Sequence, residues 1–141
     1  MKLSKGLAFD DVLLVPQYSD IKSRKEVDIG NFLDSDIDLS LPILSAPMDK
    51  VTESCMANAM TEMGGLGIIH RYNTIEEQLE IVRRVEGIRA CAIPATGDYL
   101  ERAVELVDNG DVRVLCVDIA HAHHIHMKNA LTMLKNHFGD S

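Results

Sequence analysis

The chain has 141 residues, 46% of them hydrophobic and 26% charged, the composition of a globular domain large enough to bury a core. Its 22 acidic and 14 basic residues give a formal net charge of -8. Such a surface repels phosphate backbones and argues against a nucleic-acid partner, yet a few local N–H groups could still hold one small phosphorylated ligand. No apolar run approaches the roughly 20 residues of a membrane span. The start, Met1-Lys2-Leu3-Ser4-Lys5-Gly6, lacks the apolar centre of a signal peptide, so a cytoplasmic protein with no membrane partner is expected.

Residues 1–41 read as an irregular lead-in. It holds a short apolar run, Leu7-Ala8-Phe9-Asp10-Asp11-Val12-Leu13-Leu14-Val15-Pro16, and an acidic turn, Asp34-Ser35-Asp36. From residue 42 the chain becomes regular. Residues 43–48 predict a buried strand, and Met56, Ala59, Met60 and Met63 recur at the spacing of one helix face, ended by Gly64-Gly65. Leu66-Gly67-Ile68-Ile69 predicts a second strand. Thr74-Ile75-Glu76-Glu77 is a capping-box pattern opening a helix along Ile75, Leu79, Val82 and Val85. Residues 88–94 predict a third strand. Asp98 is placed to cap a third helix with an inner face of Leu100, Ala103, Val104 and Val107, stopped by Asn109-Gly110. Residues 112–117 predict the fourth strand, and Met127, Ala130, Leu131 and Leu134 mark the fourth helix.

Four strand–helix units with apolar strands imply an α/β protein with a parallel sheet covered by helices. An open doubly wound sheet and part of a (β/α)8 barrel both fit. A complete barrel takes about 250 residues, so this chain would supply about half of one. No G-x-G-x-x-G follows the first strand, so the dinucleotide fingerprint is missing.

Ligands of either architecture bind beyond the carboxyl ends of the strands. Those ends carry Met48-Asp49-Lys50, His70-Arg71, Ala95-Thr96-Gly97 and Asp118-Ile119-Ala120-His121-Ala122-His123-His124. Asp49 could instead cap a helix or pair with Lys50, and His70-Arg71 could be a solvated turn. Asp118 directly follows an apolar strand, where a carboxylate is costly to bury without a partner. The histidines 121, 123, 124 and 126 raise a metal hypothesis. Neighbours on a helix diverge, however, and no Cys or Glu completes a shell, so no metal is expected. Cys55, Cys91 and Cys116 have no C-x-x-C spacing and are expected to be buried and reduced.

Several blocks resemble one family in its order. Phe9-Asp10-Asp11-Val12-Leu13-Leu14-Val15-Pro16, the run from Pro42 through Ala46-Pro47-Met48-Asp49 to Glu53, and Gly64-Gly65-Leu66-Gly67-Ile68-Ile69-His70-Arg71 resemble IMP dehydrogenases. Val117-Asp118-Ile119-Ala120-His121-Ala122-His123 is similar to the Asp-x-Ala-His-Gly-His stretch shared by IMP dehydrogenases and GMP reductases, with Ala122 where the family usually has glycine. The resemblance implies the first four units of a (β/α)8 barrel, in a homo-oligomer that binds a purine nucleotide monophosphate and NAD, or NADP in a reductase. By position it puts Ala46 and Met48 at the nucleotide, Asp118, His70 and His121 at the cofactor, and Asp49 and Arg71 as supporting rim residues.

The family's catalytic cysteine lies in a Gly-x-Gly-Ser-x-Cys-x-Thr loop, which this sequence does not contain. The chain alone is therefore expected to be inactive, its catalytic residue and the remaining half of the barrel coming from the same gene or a second chain. The regulatory pair of domains common in the dehydrogenases has no room between Gly87 and Ile88, as in GMP reductases. The segment from Lys22 to Asp28 and Ile69-His70-Arg71-Tyr72 are also similar to reductases. Ser45-Ala46-Pro47-Met48-Asp49 and Val51-Thr52-Glu53 favour a dehydrogenase. A non-catalytic half barrel that binds nucleotide, or pairs with itself or a partner chain, is the reading from a different class.

Overall fold

The structure, a computed structural model, describes residues 4–139. Residues 1–3, part of the start read above for a signal sequence, lie outside it. The lead-in runs extended, with single turns of 3-10 helix at Phe9–Asp11 and Arg24–Glu26. Its Phe9, Leu13, Leu14 and Tyr18 are each at least 95% exposed. The end of the lead-in is not irregular, as the sequence suggested, but an antiparallel hairpin of β1 (Asn31–Asp34) and β2 (Ile37–Leu39). The expected acidic turn forms its tip, and the register shifts between Phe32 and Asp34.

The four β/α units follow as β3 (Leu44–Ser45), α1 (Ser54–Glu62), β4 (Leu66–Ile69), α2 (Ile75–Arg83), β5 (Ala90–Pro94), α3 (Tyr99–Gly110), β6 (Val114–Asp118) and α4 (Ile125–Phe138). The strands pair in parallel in the order β3-β4-β5-β6. A doubly wound sheet reverses direction at a switch point, and this order has no reversal. The chain is therefore four consecutive units of a (β/α)8 arrangement, with β3 and β6 as the open edges among the described residues. All five residues of β6 are half-buried, because the outer edge has no neighbour.

Alternation along the strands divides the core in two. On the face away from the helices, Leu66, Ile68, Ala90 and Ala92 pack with Ile37 and Leu39 of the hairpin, flanked by Val114 and Cys116. The hairpin thus plugs the concave side of the sheet, each of its two side chains contributing about 1.5–3 kcal/mol of burial. On the other face Ile69, Cys91 and Ile93 pack under Leu79, Val82, Ala103, Leu106 and Leu134 of the helices. Gly67 lets α1 close on β4, since a Cβ there would lie 2.5 Å from the Ala57 Cα.

Thr74 caps α2 as its pattern predicts: Thr74 Oγ1 accepts from Glu77 N at 3.2 Å, and Glu77 Oε2 accepts from Thr74 N at 2.9 Å. Two other expectations are corrected. In α1 the buried residue is Ala57, while Met56 and Met63 are exposed, because that face has no packed neighbour in the described residues. The stripe of α3 is Ala103, Leu106 and Gly110 with buried Arg102, and Leu100, Val104 and Val107 are only half-buried. α3 ends at Gly110, as expected, but the glycine is not the cap. A Cβ there would meet Leu79 Cδ1 at 3.0 Å, so glycine serves the α2–α3 contact, and Asp111 takes the left-handed cap at φ 53°.

Candidate functional site

The carboxyl ends of the strands form the site, and the chain leaves β3 through a tight turn. Met48 N donates to Ala46 O at 2.8 Å, and Thr52 N to Met48 O at 3.1 Å. Thr52, fully buried, anchors the turn: its hydroxyl donates to Ala46 O at 2.6 Å and sits 2.9 Å from Ser45 Oγ. This turn limits β3 to two residues rather than the six expected. It leaves Ala46, Met48 and Asp49 exposed at the rim.

The end of β4 sends two neighbouring side chains to different partners. His70 is 4% exposed, and its Nδ1 accepts from Tyr72 N at 3.2 Å. Nε2 must then carry the proton of the neutral ring, and it faces Glu53 Oε1 at 3.4 Å. Arg71 turns instead toward β6, donating from Nε to Asp118 Oδ2 at 2.9 Å, with its guanidinium 5.0 Å from the Tyr72 ring centre. Asp118 follows the alternation of Val114 and Cys116, so it tops the concave face of the sheet.

His121 is exposed, its ring 6.4 Å from that of His123. His124 caps α4, accepting from His126 N at 3.1 Å through Nδ1. Among the described residues no three His, Cys, Asp or Glu side chains gather to hold a metal. The rim thus joins Arg71 to Asp118, holds His70 against Glu53, and leaves Ala46, Met48, Asp49 and His121 open to solvent.

Residues 6–141 match the family model described as the IMP dehydrogenase / GMP reductase domain. The chain belongs to this family. It is 54% identical over 86 residues to the inosine-5'-monophosphate dehydrogenase of Nitrosopumilus maritimus, covering 61% of this chain and 18% of that protein. It is 46% identical over 84 residues to the GMP reductase of Leishmania donovani, covering 60% of this chain and 17% of that protein. The crystal structure of inosine 5' monophosphate dehydrogenase from Legionella pneumophila superposes with a TM-score of 0.83 at 40% identity, over 94% of this chain and 41% of that one. The aligned part of this chain is thus less than a fifth of the length of these curated relatives, whose names place the family among purine-nucleotide oxidoreductases.

Sequence reading missed the polar network under this rim. Gln78, fully buried on α2, donates from Nε2 to His70 O at 2.9 Å and Ala92 O at 2.8 Å. Its Oε1 accepts from Arg102 Nη1 at 2.8 Å. Arg102 also donates to Asn73 O at 3.1 Å and, from Nε and Nη2, to Asp98 Oδ2 at 3.0 and 2.8 Å. Asp98 therefore serves Arg102, and its side chain makes no cap bond to α3. A cleft of about 440 Å³ opens beside this network, lined by Asp49, Glu53, His70, Tyr72 and Asn73 among others.

The cysteines divide. Cys91 is buried, and desolvation pushes its thiol up to about 12. Burial first, and Asp118 second, push the thiol of half-buried Cys116 upward as well. Cys55 is exposed, against expectation, because it lies on the solvent side of α1. A thiolate nucleophile needs a depressed pKa, the opposite of what Cys91 and Cys116 experience.

Proposed function

We propose that this chain is the N-terminal portion of an IMP dehydrogenase-like oxidoreductase, which converts IMP, NAD and water to XMP, NADH and a proton when completed by the four β/α units that carry the cysteine loop. The observation that carries this reading is the Arg71–Asp118 pair at the carboxyl rim of a sequentially ordered parallel sheet. NAD bound there would accept the hydride. Arg71 engages Oδ2 of Asp118, and Oδ1 could accept from a ribose hydroxyl. Ala46 and Met48 would line the nucleotide pocket, His70 and His121 would lie at the cofactor side, and Asp49 and Arg71 would support the rim. A cytoplasmic homo-oligomer fits this reading.

The completing units would sit beside β6, where a groove of about 580 Å³ next to the open strand edge is lined by apolar Leu115, Val117, Leu131 and Leu134 and flanked by charged Arg113 and Lys135. An unpaired parallel edge above such a groove suits a fifth β/α unit.

GMP reductase, using GMP and NADPH, is the second reading. It is favoured by the direct passage from α2 to β5, with only residues 84–89 between them.

The test is an assay of NADH formation from IMP and NAD, by the purified chain alone and after co-expression with the C-terminal four units of a family member. Turnover is expected only in the complemented sample. NADH made by the chain alone would overturn the placement of the nucleophile outside it, and GMP-dependent NADPH consumption would favour the reductase. If complementation restores neither activity, the reading gives way to a non-catalytic half barrel.

A further inference from the structure

The β4–β5 ladder pairs Ile68 with Ala90 and Ile69 with Cys91, whereas β5 stays with β6 up to Pro94 and Asp118. Beyond Ile69 the two strands part, and carbonyls at the parting need donors from elsewhere. Gln78 supplies them. Its amide nitrogen carries two hydrogens, and one goes to His70 O and the other to Ala92 O. A flipped amide would set its oxygen against both carbonyls and its NH2 against the Arg102 guanidinium, so the network admits one orientation.

Arg102 enforces that orientation from α3. It holds the amide oxygen of Gln78 and also binds Asn73 O, at the far end of the β4–α2 loop. The loop is therefore held at His70 by Gln78 and at Asn73 by Arg102, with Arg71 and Tyr72 between. Asp98 balances the buried guanidinium through two bonds to one carboxylate oxygen. Arg102 itself is only 6% exposed, so the arrangement is sheltered from water.

We infer that Arg102, acting through Gln78 and Asn73 O, is a positioning residue that aims Arg71 at Asp118. This rests on the reading of that pair as the cofactor side of the rim, while the positioning itself is measurable in the chain without nucleotide or cofactor.

The experiment follows hydrogen exchange at Arg71 Nε by its nitrogen–proton resonance, assigned as the signal lost in Arg71→Lys. In Arg102→Met and Gln78→Leu the exchange is expected to accelerate by at least roughly tenfold. Gln78→Glu keeps an acceptor for Arg102 and removes both donors to the carbonyls, and it should release Arg71 to the same extent. Leu106→Ala, a buried change on α3 outside the network, should lower stability and leave the Arg71 signal protected. Unchanged exchange in a folded Arg102→Met or Gln78→Leu chain overturns the inference, as does equal acceleration by Leu106→Ala. Should Arg102→Met not fold, Gln78→Glu decides by the same criterion. Protected Arg71 in a chain that complementation fails to activate would count against the proposed function alone.

Discussion

Arg71 and Asp118 stand at the ends of β4 and β6 and meet at 2.9 Å across the strand between them. Their side chains are 27% and 29% exposed, so water screens part of the attraction. Such a pair is worth on the order of 1 kcal/mol or less. Arg71→Met and Asp118→Asn should each shift the urea midpoint slightly, with a coupling of about 0.5 kcal/mol in the double-mutant cycle. In the complemented enzyme Asp118→Asn should cost far more in kcat/KM than in stability. Equal losses in both would reduce the pair to a structural contact.

Gly67→Ala should destabilise the chain by about 2–3 kcal/mol, because its new methyl would press on both the Cα and the Cβ of Ala57, at 2.5 and 2.8 Å. Ala57→Gly should restore only part of the loss, since the nearer contact is backbone. Full rescue in thermal unfolding would show that α1 can slide on β4.

The buried thiol of Cys91 shapes the alkaline limb of stability. Its folded pKa is raised from 9.0 to about 12, so the folded chain retains a proton that the unfolded chain releases. That contribution is fully present below pH 9 and is lost as pH rises from 9 toward 12, with a slope of up to about 1.4 kcal/mol per unit. Cys91→Ala should flatten this limb relative to the parent, read from urea unfolding at successive pH values. An identical limb in the variant would place Cys91 in contact with solvent.

Leu131 is 45% exposed in the groove beside β6. Leu131→Glu should therefore alter the stability of the lone chain by no more than about 0.5 kcal/mol. It should nonetheless prevent complementation, because the carboxylate would be buried beneath the incoming unit. Activity retained after this change would put the completing units elsewhere.

What could be read from the sequence follows the distance over which each signal acts. Thr74 and Glu77 are three residues apart, and their capping box was legible because both partners lie in one turn. The β/α alternation was legible for the same reason, each strand and helix carrying its period in its own residues, whereas the meeting of Arg71 with Asp118, 47 residues apart, was not. The hairpin at Ile37 and Leu39 was not, since a strand of three residues leaves too little alternation to see. Gln78 and Arg102 are 24 residues apart, so nothing local to either residue announces their contact. The one available cue was a polar pair on the inward sides of two neighbouring helices. The methionines of α1 misled because helical spacing identifies an apolar face and does not say whether a neighbour covers it.

The hairpin plug also sets an order of events during synthesis. Each β/α unit can pack on its predecessor as it leaves the ribosome, because the strands pair in sequence order. The plug cannot. Leu39 is made 53 residues before Ala92, one of the side chains it packs with. At about 5–20 residues per second, the earliest apolar strand waits roughly 3–10 seconds for its seat to exist.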